Sequence, residues 1–404
     1  MLTKEDSIQN KIFTKPYNFM LTVSILSYTG HYMLMATMPL YAKELGGSNV
    51  TAGMMVTAFT ISALLFRPIF GSFIDCKGRK FVIVTGAIIF VLVSVLYNIA
   101  SSIFILIILR VINGIGFSAH TSAAGTIASD LTPKSRLAEG IGYYGISIII
   151  GTAIGPSLGL YLSTHSGYKF MFLCVFIIWV MGLHFSFFIS YEKKTRKAQD
   201  SVNSAAVTNN ITIENKKVKN SFFEKTSLLP SCVMFFVSLT FGSVIAFLPS
   251  YGIVRGIENI GTFFIIYSIA VLISRLTTGK LADKHGFMIV LVPSLAALFL
   301  SMLILAFANT LTVVLIAAVF FGIGFGTSYP LTNAIVIKLC PEKRRGAATS
   351  TLLAAMDIGI GSGALVWGAI LEVAGFTTVY LASSACVVLS ILVYIFFVHK
   401  KLEK

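Results

Sequence analysis

Charge is what this sequence has least of. Charged residues fill 12% of its 404 positions, about half the share of a soluble domain, which excludes an ordinary water-soluble fold. Acidic side chains are the scarcer kind, 16 Asp and Glu against 31 Lys and Arg. The five cysteines, Cys76, Cys174, Cys232, Cys340 and Cys386, are scattered with no Cys-x-x-Cys pair, so a disulfide framework is excluded and free thiols are expected. There is no nucleophile with a paired base, no metal-ligand cluster and no phosphate-binding loop. The chain is therefore not read as an enzyme; no metal and no cofactor are expected, and no ATP-binding domain is present to power a pump.

What fills the chain instead is apolar sequence. Hydrophobic residues make up 56% and the mean hydropathy is +0.87. Runs of about 20 residues, enough to cross some 30 Å of hydrocarbon, recur almost throughout. In lipid every backbone group must pair internally, so runs of this length read as helices. Twelve spans can be drawn: 17–41, 51–73, 81–100, 103–129, 138–163, 170–190, 229–252, 260–281, 288–308, 311–337, 346–371 and 376–398. A polar, Lys-rich segment at 191–225 separates 1–190 from 226–404 and is expected to be a flexible cytoplasmic linker between two six-helix bundles. The fold class is all-α, a multi-pass membrane protein. The charged stretch before residue 16 is followed by too long an apolar run for a signal peptide, and no cleavage is expected.

The net charge of +15 raises nucleic acid as a partner, but the basic residues sit in short turns rather than on one helix face. A topology signal explains them better. Lys77, Arg79, Lys80, Lys134, Arg136, Lys280, Lys284, Lys338, Lys343, Arg344 and Arg345 occupy every second turn, whereas the alternate turns hold only Lys43, Lys169 and Arg255. Both termini are thus expected in the cytoplasm of a plasma (inner) membrane, with the lipid bilayer as surroundings and no obligatory protein partner.

The chain also repeats itself. Arg67, Gly71, Asp75 and Gly78 recur as Arg275, Gly279, Asp283 and Gly286, always 208 residues later. The offset persists from Gly114 and Gly116 to Gly322 and Gly324, from Gly151 and Gly155 to Gly359 and Gly363, and from Gly167-Tyr168 to Gly375-Phe376. A fixed offset over half a chain means duplication. Parallel repeats of this kind place a substrate site near the midplane between halves that rock to give alternating access.

With these residues in view, the whole chain resembles the major facilitator superfamily. The stretch Gly71-Ser-Phe-Ile-Asp75-Cys-Lys-Gly78-Arg79-Lys80 is similar to its cytoplasmic signature, read here as a charged turn at the membrane surface. The resemblance implies that Asp75, Arg79 and Asp130 hold the two halves together in the outward-facing state. Asp283 marks the second copy, weakened because Phe287 stands where the arginine would be. Arg110, opening Arg110-Val-Ile-Asn113-Gly114, resembles the span-four motif that handles protons or substrate in proton-coupled members. A charge about seven residues inside an apolar run costs ~2.5–3.5 kcal/mol and so should face a wet cavity or a partner. Gly151, Gly155, Pro156 and Gly159 resemble the span-five motif of exporters. Glycines four apart allow close helix approach, and Pro156 bends the helix, on the outer side by the topology above.

Proton coupling needs a group that changes charge inside a low-dielectric cavity. Among the carboxylates only Asp357 lies near a span's middle; Glu44, Asp130, Glu139 and Glu372 flank the spans. Asp357 is the expected proton carrier, with His31 as a second titratable group and Arg110 as its sensor. Tyr28, Tyr32, Asn113, His120, Tyr144, Tyr251, Tyr329 and Asn333, with Tyr143 and Tyr267, are candidates to line the binding site. The expected function is secondary active export of a small molecule, a drug or metabolite, by antiport driven by the proton gradient. Proton-coupled uptake or facilitated diffusion is the alternative, and a non-transporting membrane receptor or assembly factor the alternative of another class.

Overall fold

The computed structural model describes residues 11–190, 224–341 and 344–402. The expected linker lies outside the described residues up to residue 223, as does Lys343. Ten long helices carry the fold. In the first half they are α1 (Lys15–Glu44), α2 (Asn49–Lys77), α3 (Arg79–Tyr97), α4 (Ile103–Leu131) and α5 (Leu137–Phe187). The second half has α6 (Leu228–Arg255), α7 (Thr262–His285), α8 (Phe287–Phe307), α9 (Leu311–Leu339) and α10 (Arg345–Val393). No strand occurs among the described residues. Nine of the ten are long and apolar enough to cross a membrane. The exception, α1, buries Ser24, Ser27, Thr29, His31 and Thr37 within the protein, and these polar groups lower its hydropathy.

Glycine sets the breaks. Helices α5 and α10 each turn at a single residue outside helical geometry, Gly167 (φ 80°, ψ 164°) and Gly375 (φ 76°, ψ 175°). A second pair, Gly78 (φ 94°, ψ 162°) and Gly286 (φ 89°, ψ 159°), separates α2 from α3 and α7 from α8. This backbone region is open essentially to glycine alone. Both pairs are 208 residues apart, so the duplication seen in sequence is repeated in conformation. With the two turns counted, ten helices supply twelve straight segments, which fits the twelve apolar runs.

One expectation needs correction here. The stretch from Gly71 to Lys77 is not a turn: α2 continues through it, and Gly78 alone reverses the chain. Seven consecutive residues without proline or a residue at positive φ leave the helix no reason to stop earlier. At the other side of the linker, Glu224 is buried, its N–H donates to Thr351 Oγ1 (3.0 Å), and its carboxylate pairs with Arg344 (2.7 Å).

Within each half the first helix packs against the segment before the glycine turn. The smooth faces predicted for Gly151, Gly155 and Gly159 lie on α1, at Tyr28, Thr29, Tyr32 and Met33. In the second half, Gly359 and Gly363 meet Phe235 and Leu239 of α6. Two hydrophobic clusters, around Met38–Phe90–Trp179 and around Tyr17–Phe70–Ile127, belong to the first half. The largest cluster spans the second half and crosses the seam to Met35, Val56, Phe59 and Ile149.

Candidate functional site

Between the halves lies a cavity of about 410 Å³, within the range of small-molecule sites. Helical spacing builds its walls. Tyr28, His31, Tyr32 and Met35 share one face of α1, Tyr267, Val271 and Arg275 one face of α7, and Leu353, Met356, Asp357 and Ile360 one face of α10, since residues three and four apart lie above one another. Phe59 and Arg67 of α2, Phe117 of α4, Tyr144, Ile149 and Thr152 of α5, Phe241 of α6, and Phe325 and Tyr329 of α9 are also on the wall.

The charged groups are few. Asp357 is the single carboxylate on this wall. Its Oδ2 lies 2.7 Å from Nη1 of Arg67, with side chains only 13% and 25% exposed, so the pair joins α10 of one half to α2 of the other. Arg275, the duplicate of Arg67, reaches the same cavity but is exposed. The hydroxyls of Tyr28 and Tyr144 are 2.9 Å apart. His31 stacks on Phe117, with ring centroids 4.2 Å apart, and its Nδ1 has no hydrogen-bond partner among the described residues.

Beyond the cavity, on the side of the α1–α2 connection, the halves are sealed. Thr57 Oγ1 donates to the Gly361 carbonyl at 2.7 Å, and Ser157 Oγ to the Gly261 carbonyl at 2.7 Å. Thr152 and Ser268 are hydrogen-bonded at 3.1 Å. The N–H of Asn49 donates to Glu372 at 2.9 Å, so a carboxylate of α10 holds the first turn of α2, where a negative charge is favoured. Small residues permit the approach: a Cβ at Gly53, Gly361 or Gly368 would meet Ala364, Thr60 or Asn49 of the opposite half. On the opposite, linker side, Arg79 pairs with Asp130 at 3.0 Å within one half. Asp75 and Asp283 are exposed and make no ion pair among the described residues.

Of the residues singled out by sequence, Tyr28, His31, Tyr32, Tyr144, Tyr267, Tyr329 and Asp357 line the cavity. Six others do not. Arg110 is fully buried; its Nε donates to the Met55 carbonyl (2.7 Å), its Nη1 to Asn113 Oδ1 (3.2 Å), and its guanidinium lies over Phe59 at 4.6 Å. The partners that its charge demands are thus a backbone carbonyl and the Asn113 amide oxygen, and Asn113, turned to Arg110, does not line the cavity. His120 is buried edge-on to Tyr28. Tyr251 is buried in the second half, donating to the carbonyls of Leu305 and Ala308. Tyr143 packs on Phe13, and Asn333 accepts from Thr349 at 3.5 Å.

Sequence reasoning passed over Arg67, Arg275 and the Phe59–Phe117–Phe241–Phe325 wall. The signal for the arginines was present: two charges well inside apolar runs at the repeat distance, to which the argument applied to Arg110 applies equally. No such signal marked the phenylalanines among 33 in the chain.

The family model of the Major Facilitator Superfamily matches residues 20–263 and 257–404. The staphylopine export protein of Staphylococcus aureus is 23% identical over 92% of this chain and 94% of its own length. The multidrug resistance protein MdtG of Yersinia enterocolitica is 25% identical over 89% of this chain and 87% of its own. Among solved structures, the nucleoside transporter NupG superimposes with a TM-score of 0.71 over 97% of this chain and all of that one, at 14% identity, a likeness of fold.

Proposed function

The chain belongs to the Major Facilitator Superfamily and is a multi-pass membrane transporter rather than an enzyme, and from that premise we propose that it exports a small molecule by proton antiport. The observation that carries this reading is the Arg67–Asp357 pair. It is placed on the cavity wall, bridges the two halves, and contains the wall's single carboxylate. A proton arriving on Asp357 removes its charge and releases Arg67, so protonation weakens a tie between the bodies that must rock. Cargo and proton can then act on one equilibrium from one cavity.

The remaining geometry fits an inward-open state of such a cycle. In the topology expected from the basic turns, the sealed end is the outer one, and the cavity opens toward the cytoplasmic linker of a plasma-membrane protein. Asp75, exposed and unpaired with the other half, fits a cytoplasmic closure that has come apart. His31 is a second place for a proton on the same wall. Arg110 serves by tying α4 to the Met55 carbonyl of α2, behind the wall that Phe59 and Met35 present. The export direction draws on the Gly151–Gly159 motif and on the efflux relatives.

The test is proton flux in inverted membrane vesicles carrying the wild type or Asp357→Asn, loaded with a pH-sensitive dye. A panel of lipophilic cations, sugars and organic anions is added under an imposed gradient. At least one compound should dissipate the gradient with the wild type and not with the variant. Equal responses from both proteins would remove Asp357 as carrier.

A further inference from the structure

The duplication gives the two cavity arginines the same place in their halves and different company. Arg67 finds Asp357 across the seam at 2.7 Å. By the same repeat, the residue owed to Arg275 is the one 208 positions before Asp357, and that residue is Ile149, also on the cavity wall. One turn earlier, Gly145 stands where the other half has Leu353, and a Cβ there would lie 3.5 Å from Arg275 Nη1. Arg275 is exposed to the cavity, and no carboxylate pairs with it among the described residues. Arg275 therefore lies against a backbone position that carries no side chain, and its positive charge is unanswered by any carboxylate among the described residues.

We propose that the cargo is an organic anion, and that its anionic group occupies the position beside Arg275 which the repeat would otherwise fill with a carboxylate. This rests on the reading of the cavity as the cargo site. A planar guanidinium meets a carboxylate through two parallel N–H donors. The rest of the molecule is apolar and aromatic in character, because Phe241, Tyr267 and Phe325 line the same cavity as Arg275, with Phe241 stacked on Phe325 at a centroid distance of 4.8 Å. Charge supports a single negative group. With Asp357 ionised, Arg67 and Asp357 cancel and Arg275 leaves the wall at +1, so a monoanion brings the loaded cavity to zero, the state that hydrocarbon encloses most readily. A proton added to that loaded cavity would restore a net charge, which fits cargo and proton moving on separate legs.

The experiment is equilibrium binding to the full chain in lipid nanodiscs, with no proton gradient. The probes are benzene, naphthalene and biphenyl rings, each bearing a carboxylate, a carboxamide or an aminomethyl group. The wild type is expected to bind at least one ring's carboxylate about tenfold more tightly than its carboxamide, with the ammonium weakest. Arg275→Gln should lose the preference while keeping carboxamide binding, which also shows that it is folded, and Arg275→Lys should recover part of it. Ile149→Asp, which builds in the missing carboxylate, should likewise lose it. Absence of any anion preference in the wild type, including no binding by any probe, overturns the assignment, as does a preference that survives Arg275→Gln. Because no proton moves in this measurement, its result stands apart from the vesicle test of Asp357.

Discussion

Replacing Gly53 by alanine tests whether the contact between α2 and α10 is the barrier that alternating access has to open. A Cβ at Gly53 would overlap the carbonyl oxygen of Ala364 and stand 2.9 Å from its carbon and 3.2 Å from Leu365 Cα. Ordinary carbon contacts are about 3.5–4.0 Å, so the two helices must part locally by roughly 1 Å. Backbone atoms in packed helices cannot rotate away as a side chain can. Overpacking of this kind costs about 1–3 kcal/mol, and it falls only on the conformation in which these helices touch. The ratio of protein open at this end to protein closed there should therefore rise about 5- to 150-fold. Spin labels at Glu44 and Val373, both exposed on the sealed side, report the separation by double electron–electron resonance, in a background lacking the five cysteines. The variant should gain a longer-distance population, and Gly53→Leu a larger one. An unchanged distance distribution in both variants would refute the reasoning, since the seal would then tolerate what the geometry forbids.

Three other substitutions probe the remainder of the structure. Tyr251→Phe removes the hydroxyl that bonds the carbonyls of Leu305 and Ala308, the first of which keeps the Ala308 N–H, and should lower stability by about 1–2 kcal/mol with cargo affinity unchanged; thermal melting beside ligand binding checks this, and lost affinity at unchanged stability would return Tyr251 to the cavity. Gly375→Ala forces a side chain into glycine-only backbone geometry at a cost of about 1–3 kcal/mol, whereas Gly279→Ala, inside α7 with nothing within 4 Å of the added atom, should melt at or slightly above the wild-type temperature.

The fold was legible because lipid leaves a chain so few options. Apolar runs had to be helices, and the 208-residue offset located equivalent points in both halves before any coordinate was known. What escaped was continuity: the gap drawn between 163 and 170 is a single turning glycine in α5, because one residue at positive φ reverses a helix without a polar loop to announce it. The site was only partly legible. Asp357 stood out because scarcity left no competitor, and His31 as a second titratable group, with Tyr28 and Tyr32 flanking it in the first span. Tyr251 and Asn113 were misplaced because helices that are apolar all round do not reveal which face turns inward. The depth of Arg67 and Arg275 inside apolar runs was legible, whereas the partner of Arg67 across the seam, and the lack of one for Arg275 among the described residues, is a property of two helices at once.

The seal on the side of the α1–α2 connection also has a composition that matters for the medium it faces. Hydroxyls on carbonyls, and glycines pressed on backbone, hold by fit, and bulk ions scarcely screen such contacts. Glu372, on the Asn49 amide, is the one ionisable group among the cross-half hydrogen bonds described there. A gate built this way should keep its strength from fresh water to brine.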